Sequence, residues 1–452
     1  MEKSVEKSDS EEAPTIHVYR RRYLVLVLFM FLSGSNSMQW IEYSVIANII
    51  NKFYSVSYTW IDWTSMIFML TYVILVIPAS WVVDRFGLRF AVLIAATGNC
   101  IGAWIKAFST SPDLFWLSFL GQLIVGSSQV FILGIPSRLA AVWFGSRQVA
   151  TACAAGVFGN QIGIAVGFLI PPLIVTNGDT GTIARGLRTL FIGSAVVNSV
   201  IFVLILSFFS KQPKQPPSKA QLAIQSSDVH QDYTNSLKSL ITNSNYLLLL
   251  VTYGINVGVF YAISTLLNQM ILAYHKDAQE SVGTIGLLLV VAGMVGSVIA
   301  GVVLDKFNHY KLTTVIVYLF SFIGMLLFTL LLSLNELWYM FVTSALLGFF
   351  MTGYLPIGFE FAAEITFPVP EATSSGLLNG AAQVFGILMT TCAGRVIHQI
   401  NILTCNIILT AFLFAGTLLT MLIKPDLKRQ SAQKTISQMS PSDTNNNGSQ
   451  LN

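Results

Sequence analysis

The side chains in this sequence best placed to do chemistry are aromatics and amides set inside apolar runs, and four of them form two pairs at nearly equal separations. Trp40 in "SMQWIEY" and Tyr261 in "VFYAIS" stand 221 residues apart, while Gln161 in "FGNQIG" and Gln383 in "AAQVFG" stand 222 apart. If a repeat of that length underlies the chain, its axis brings all four toward one centre, with two aromatic faces and two amide carbonyls. Such a box suits a quaternary ammonium, whose diffuse charge is drawn to each ring face by about 0.5–2 kcal/mol. The amides cannot donate to a trimethylammonium, but they can accept from a hydroxyl on the same solute. Neighbours at helical spacing widen the candidate site: Asn36, Gln39 and Tyr43 around Trp40, Thr265 and Asn268 after Tyr261, and Asn379 one turn before Gln383. Taken singly, a membrane Trp or Tyr belongs to an interfacial belt or to packing, and a lone Asn or Gln bridges helices. The symmetric recurrence sets binding beside those readings.

Positioning these residues requires membrane helices. The 452 residues are 54% hydrophobic and 10% charged, with mean hydropathy +0.68, against about 25% charged in a soluble domain. Apolar runs of roughly 20 residues recur, each long enough to cross a hydrocarbon core of about 30 Å as a helix. The expected helices 1 to 6 cover 23–50, 59–83, 88–108, 114–143, 149–175 and 187–210. Helices 7 to 12 cover 245–274, 281–304, 311–334, 337–362, 372–394 and 401–423. The fold class is thus an all-α membrane protein of twelve transmembrane helices. Its expected parts are a cytoplasmic N-terminal segment (1–22), a six-helix bundle (23–210), a Pro-containing linker (211–244), a second six-helix bundle (245–423) and a disordered tail (424–452). Placing both termini in the cytoplasm puts most Lys and Arg there, including Arg20, Arg21 and Arg22, and leaves only Lys52, Lys106, Arg185, Arg188, Lys276 and Arg395 outside. The first twenty residues lack a signal-peptide pattern.

The chain repeats itself. "SWVVDRFGLR" (80–89) aligns with "GVVLDKFNHY" (301–310), and "LGIPSRLAAVWF" (133–144) aligns with "LPIGFEFAAEIT" (355–366). Two parallel six-helix repeats about an axis along the membrane normal are the major facilitator plan, with the solute held near the midplane between them. Each Asp-basic signature is expected in the short loop after the second helix of its half. There Asp84, Arg85 and Arg89, and Asp305 and Lys306, could hold one gate state by ion pairing, with Glu360 near the cytoplasmic end of helix 10. Topology-setting positive charge is the plainer alternative.

Intramembrane carboxylates are few. Glu42 is the deepest and Asp62 opens helix 2, so facilitative uniport fits better than proton coupling. Glu42 reads either as a bias of the outer cavity toward cations or as a carboxylate hydrogen-bonded in a helix junction. Gly159, Gly163 and Gly167 give helix 5 a smooth packing face. Pro136 and Pro356 are expected to break helices 4 and 10, and Pro171 and Pro172 helix 5. The four cysteines read as small packing residues. No nucleophile and base pair or metal cluster supports an enzyme, no cofactor is implied, and no folded extramembrane domain supports a receptor or scaffold.

At "QWIEY", "AWIKAF", "QVFILGIPSRLAAVWFG", "FGNQIGIAVGFLIPP", "FYAISTLLNQMIL", "VVAGMVGSVIAG" and "LGFFMTGYLPIGFEFAAEITFP" the chain resembles the feline leukaemia virus subgroup C receptor family of major facilitators, from about residue 19 to 426. That resemblance implies transport of choline and ethanolamine, with the family's site aromatics on Trp40 and Tyr261 and its site glutamines on Gln161 and Gln383. Glu42 departs from the family's usual glutamine. The family was first described as haem exporters, and haem export is the competing expectation, with His275 and His398 as loop candidates for iron ligation. The implied partners are a small cationic solute and the lipid bilayer, with no nucleic acid. The implied setting is a plasma-membrane monomer.

Overall fold

The computed structural model describes residues 18–145, 148–213, 215, 217, 233–307, 309–334, 336–369, 371–428 and 431; the side chains of residues 84, 149, 150, 233, 234, 305, 371 and 372 fall outside that description. The expected N-terminal segment through residue 17, much of the linker, and nearly all of the tail lie outside the described residues. Among the described residues twelve helices are long and apolar enough to cross a membrane. Helix 1 runs over Arg21–Tyr54, helix 2 Tyr58–Phe86, helix 3 Leu88–Ala107, helix 4 Phe115–Leu133, helix 5 Val149–Ile174 and helix 6 Thr180–Phe208. Helix 7 covers Ser244–Leu272, helix 8 Gln279–Phe307, helix 9 Tyr310–Leu331, helix 10 Trp338–Thr366, helix 11 Glu371–Gln399 and helix 12 Ile402–Leu422. Helical backbone satisfies its own polar groups, which lipid cannot do.

Packing follows the repeat. Helix 1 lies against helix 5 as helix 7 lies against helix 11, helix 3 against helices 4 and 6 as helix 9 against helices 10 and 12, and helix 2 against helix 4 as helix 8 against helix 10. The halves meet along helices 5 and 8 and along helices 2 and 11, so two pseudo-symmetric six-helix bundles enclose the interface that carries Trp40 and Tyr261.

Small residues set the closest approaches. The smooth face of helix 5 lies on helix 1: a Cβ on Gly163 would come within 2.0 Å of the Gly34 carbonyl oxygen, and the Ser37 hydroxyl donates to the Asn160 carbonyl at 2.7 Å. Because the obstruction is backbone, it cannot swing aside. Gly163→Ala is therefore expected to cost about 3 kcal/mol, the upper range for overpacking a close contact. The thermal unfolding midpoint of the purified protein checks this, and an unchanged midpoint overturns it.

Several expectations are corrected. The "DRFG" and "DKF" signatures are not in loops; the backbone at 84–85 and 305–306 is the last turn of helices 2 and 8. Helix 2 continues until Gly87, whose φ of +83° ends it without Cβ strain. Helix 6 begins at Thr180, so Arg185 and Arg188 are helical. Asp179, in extended conformation, precedes it and accepts from the Thr182 hydroxyl, which holds its carboxyl below the usual range. Pro171 and Pro172 lie inside helix 5 and Pro356 inside helix 10 without ending either. Pro136 does sit at a break, where helix 4 stops at Leu133 and a short helix Ile135–Trp143 follows. His398 is helical, stacked on Tyr58. The linker includes a helix over Tyr233–Thr242.

Candidate functional site

Helix 1 is not continuous. Its α-helical part ends at Ile41, a 3-10 turn occupies Ser44–Ile46, and α-helix resumes at Ala47. A break frees carbonyls that a continuous helix would use, and in this dry environment side chains take them up. The Ser65 hydroxyl donates to the Trp40 carbonyl at 3.0 Å, and the Gln122 amide donates to the Gln39 carbonyl at 2.9 Å and to the Thr64 carbonyl at 3.2 Å. Trp40 thus stands on the last helical turn before a side-chain-capped discontinuity, the backbone feature expected where a transporter holds its solute.

From that turn the Trp40 ring meets Tyr261 of the other half edge to face, with centroids 5.5 Å apart. Gln383 donates through Nε2 to the Tyr261 hydroxyl at 3.4 Å. Gly386 lets the tyrosine lie close to helix 11, since a Cβ there would come within 2.7 Å of the ring. Three of the four pseudo-symmetric residues are therefore in one contacting group across the halves. Gln161 is half-buried on helix 5, with its Oε1 buried and unpartnered.

The flanking residues divide. Gln39 and Thr265 are fully buried, and both amide atoms of Gln39 and the Thr265 hydroxyl are without partners. Buried polar atoms are ordinarily hydrogen-bonded, so these groups hold unused bonding capacity beside the aromatic pair in sequence. Asn379 is half-buried on helix 11. Asn36 and Tyr43 are engaged inside the N-terminal bundle instead. The Asn36 amide donates to Asn99 Oδ1 at 2.8 Å and to the Val125 carbonyl at 3.1 Å, and the Tyr43 hydroxyl bonds Ser118 while its ring packs on Phe191.

Asn268 belongs to a second cluster, at the ends of the bundles remote from the chain termini. Its amide donates to the Val45 carbonyl at 2.9 Å and to Asn48 Oδ1 at 3.1 Å. Beside it in sequence, Gln269 donates to the buried Asp62 carboxylate at 2.7 Å. The stacked Tyr58 and His398 rings, 5.5 Å apart, add a third tie between the halves at this end.

The side chains of the two expected gate aspartates, Asp84 and Asp305, lie outside the described residues. Arg89 donates to the Leu206 carbonyl at 3.1 Å, joining the start of helix 3 to the end of helix 6. Arg85 lies over the Trp81 ring at 5.6 Å and Lys306 over Phe307 at 5.7 Å, while Glu360 is exposed on helix 10.

The sequence reading missed Lys106. Read there only as a charge on the outer side, it is 0% exposed in the last turn of helix 3 and ion-paired with Glu42, itself 1% exposed. Glu42 is thus the carboxylate of a helix junction, one of its two expected roles. The signal lay in the sequence: an acid and a base each inside an apolar run form a natural pair, since either alone is costly in the membrane.

Comparison with known proteins gives the class of the chain. The Major Facilitator Superfamily model matches residues 24–366. The bacterial homologue of the human lysosomal transporter Spinster, inward-facing and unoccupied, superposes with a TM-score of 0.69 at 14% identity, covering 91% of this chain and 99% of that one. FucP in its outward conformation gives 0.64 at 13% identity, covering 90% and 100%; both likenesses speak to the fold alone. The chain is a major facilitator transporter, not an enzyme. It belongs to the feline leukaemia virus subgroup C receptor family: it is 51% identical to the Danio rerio choline/ethanolamine transporter flvcr2a over 92% of this chain and 89% of that one. It is likewise 47% identical to Homo sapiens choline/ethanolamine transporter FLVCR2, over 94% and 82% respectively. An uncharacterized MFS-type transporter of Caenorhabditis elegans is 56% identical over 94% of this chain and 73% of that one.

Proposed function

We propose that this chain is a facilitative, alternating-access uniporter of choline and ethanolamine. The observation that carries the reading is the Trp40–Tyr261 pair joined across the two halves and held by Gln383, in a chain whose relatives carry choline/ethanolamine transporter names. The ammonium takes its place against the two rings, exchanging ring–ring contact for cation–π attraction. Gln161, Gln39, Thr265 and Asn379 supply polar contacts for the hydroxyl or amine end. Exchange of the solute between faces requires the ties at Asn48, Asn268, Asp62 and Gln269 to part on one side, while the signature motifs at Asp84–Arg89 and Asp305–Lys306, with Glu360, govern the other. The protein works as a monomer in the plasma membrane with both termini cytoplasmic, the side on which its Arg20–Arg22 cluster belongs.

Uniport is supported by the matching of charge: Glu42, the deepest carboxylate, already has Lys106 as its counter-ion. Proteoliposomes containing the purified chain test this. Labelled choline should equilibrate down its own gradient with no ion gradient imposed, and unlabelled ethanolamine should slow it. Choline uptake that requires a proton or sodium gradient overturns uniport, and haem efflux without choline uptake overturns the solute assignment.

A further inference from the structure

We propose that Lys106 and Glu42 act as positioning residues for the cation site, pinning the break in helix 1 that presents Trp40; this rests on the cation-binding reading above. The pair lies within the N-terminal bundle, joining helix 3 to the break itself, since Glu42 is the first residue past the α-helical part of helix 1. Lys106 also donates to Gln122 Oε1 at 3.1 Å, and the same Gln122 side chain donates through Nε2 to the Gln39 carbonyl. One ammonium therefore fixes the break twice: directly through the Glu42 carboxylate, and indirectly by orienting the amide that caps the carbonyl one residue before Trp40. The Tyr43 and Phe191 rings enclose it, with centroids 5.9 and 6.0 Å from Nζ.

The chemistry of the pair matters beyond mechanics. A carboxylate two residues from Trp40 could itself serve as counter-ion to a cationic solute. Matched by Lys106, it brings no net charge to the site, so the solute's cation is left to the rings and amides. That arrangement favours rapid release, since a solute ammonium need not break a buried ion pair to leave. Removing either partner alone leaves an uncompensated charge at the break, whereas removing both does not.

The test uses the full chain as wild type, Lys106→Met, Glu42→Gln and the double variant, each checked for folding. Two readouts are taken: KM and Vmax for labelled choline uptake in proteoliposomes, and amide hydrogen exchange across residues 38–48 without solute. Lys106→Met is expected to raise KM about tenfold and to speed exchange at the break. In the double variant the unmatched charge is gone but so is the pin, so the two effects are less than additive and exchange at the break stays above wild type. Glu42→Gln leaves Lys106 unmatched and is expected to raise KM as well; being nearly isosteric, it keeps the test decisive should Lys106→Met not fold. Unchanged KM and exchange in Glu42→Gln, or exchange at the break restored to wild type in a folded double variant, would overturn the proposal. If the wild type carries no choline, the proposed function fails, and the exchange measurements alone still decide whether the pair holds the break.

Discussion

Choline uptake by Trp40→Ala is expected to show a KM raised about thirtyfold at equal surface abundance, because a desolvated cation–π contact with Trp is worth about 2 kcal/mol and each 1.4 kcal/mol is a factor of ten. Trp40→Phe retains a ring face with a weaker quadrupole and should lose only about threefold to fivefold. The contrast matters because alanine also removes the edge-to-face contact with Tyr261, which is worth about 0.5–1.5 kcal/mol on its own. A neutral choline isostere, with carbon in place of the ammonium nitrogen, separates the two contributions. It should compete poorly against choline in the wild type and lose its disadvantage in Trp40→Ala. A KM for Trp40→Ala within a factor of two of wild type would show that the ring does not hold the cation. Tyr261→Phe is a gentler probe, since it removes only the hydroxyl that accepts from Gln383 at 3.4 Å.

Much of this arrangement could be read from the residues. Long apolar runs fix membrane helices because lipid leaves the backbone no other partner, and the internal repeat fixes which helices are equivalent. That equivalence is what paired Trp40 with Tyr261 without any view of their contact. The sequence was less legible wherever backbone departs from regular helix. Asn36 and Tyr43 share the neighbourhood of Trp40 by helical spacing. Yet Tyr43 lies past the point where helix 1 stops being α-helical and is turned onto Ser118 and Phe191. Asn36 shows a different limit: one face of a helix in a bundle touches more than one neighbour, so Asn36 reaches helices 3 and 4 while Trp40 reaches helix 7. The partner of Lys106 was missed for a third reason. A charge at the end of a membrane helix has the same hydropathy whether it meets water or a buried carboxylate, and only the fold brings Glu42 to it. The cross-half ties of Asp62 and Asn268 depend likewise on how the two bundles lean together, which no periodicity records.

Those ties give the second large effect. Asp62 is 3% exposed, and the Gln269 amide from the opposite half donates to it at 2.7 Å. A buried carboxylate stripped of its hydrogen-bond donor is costly, and a hydrogen bond to a charged group is worth about 1.5–3 kcal/mol. Gln269→Leu concentrates that cost in the state where this end is closed, because opening gives Asp62 to water. The equilibrium between states should therefore move toward opening at this end by about tenfold to a hundredfold. A single cysteine at Val56, in a chain whose native cysteines are replaced, reads the shift as faster labelling by a membrane-impermeant thiol reagent from outside. Asp62→Asn, which removes the charge but keeps an acceptor for Gln269, should leave labelling near the parent rate, and adding it to Gln269→Leu should reverse most of the shift. Equal labelling in Gln269→Leu and the parent would mean that Asp62 finds another donor when this one is lost. The expected reversal instead identifies the cost of an unmatched carboxylate, rather than the loss of one hydrogen bond, as what sets the balance between the two faces.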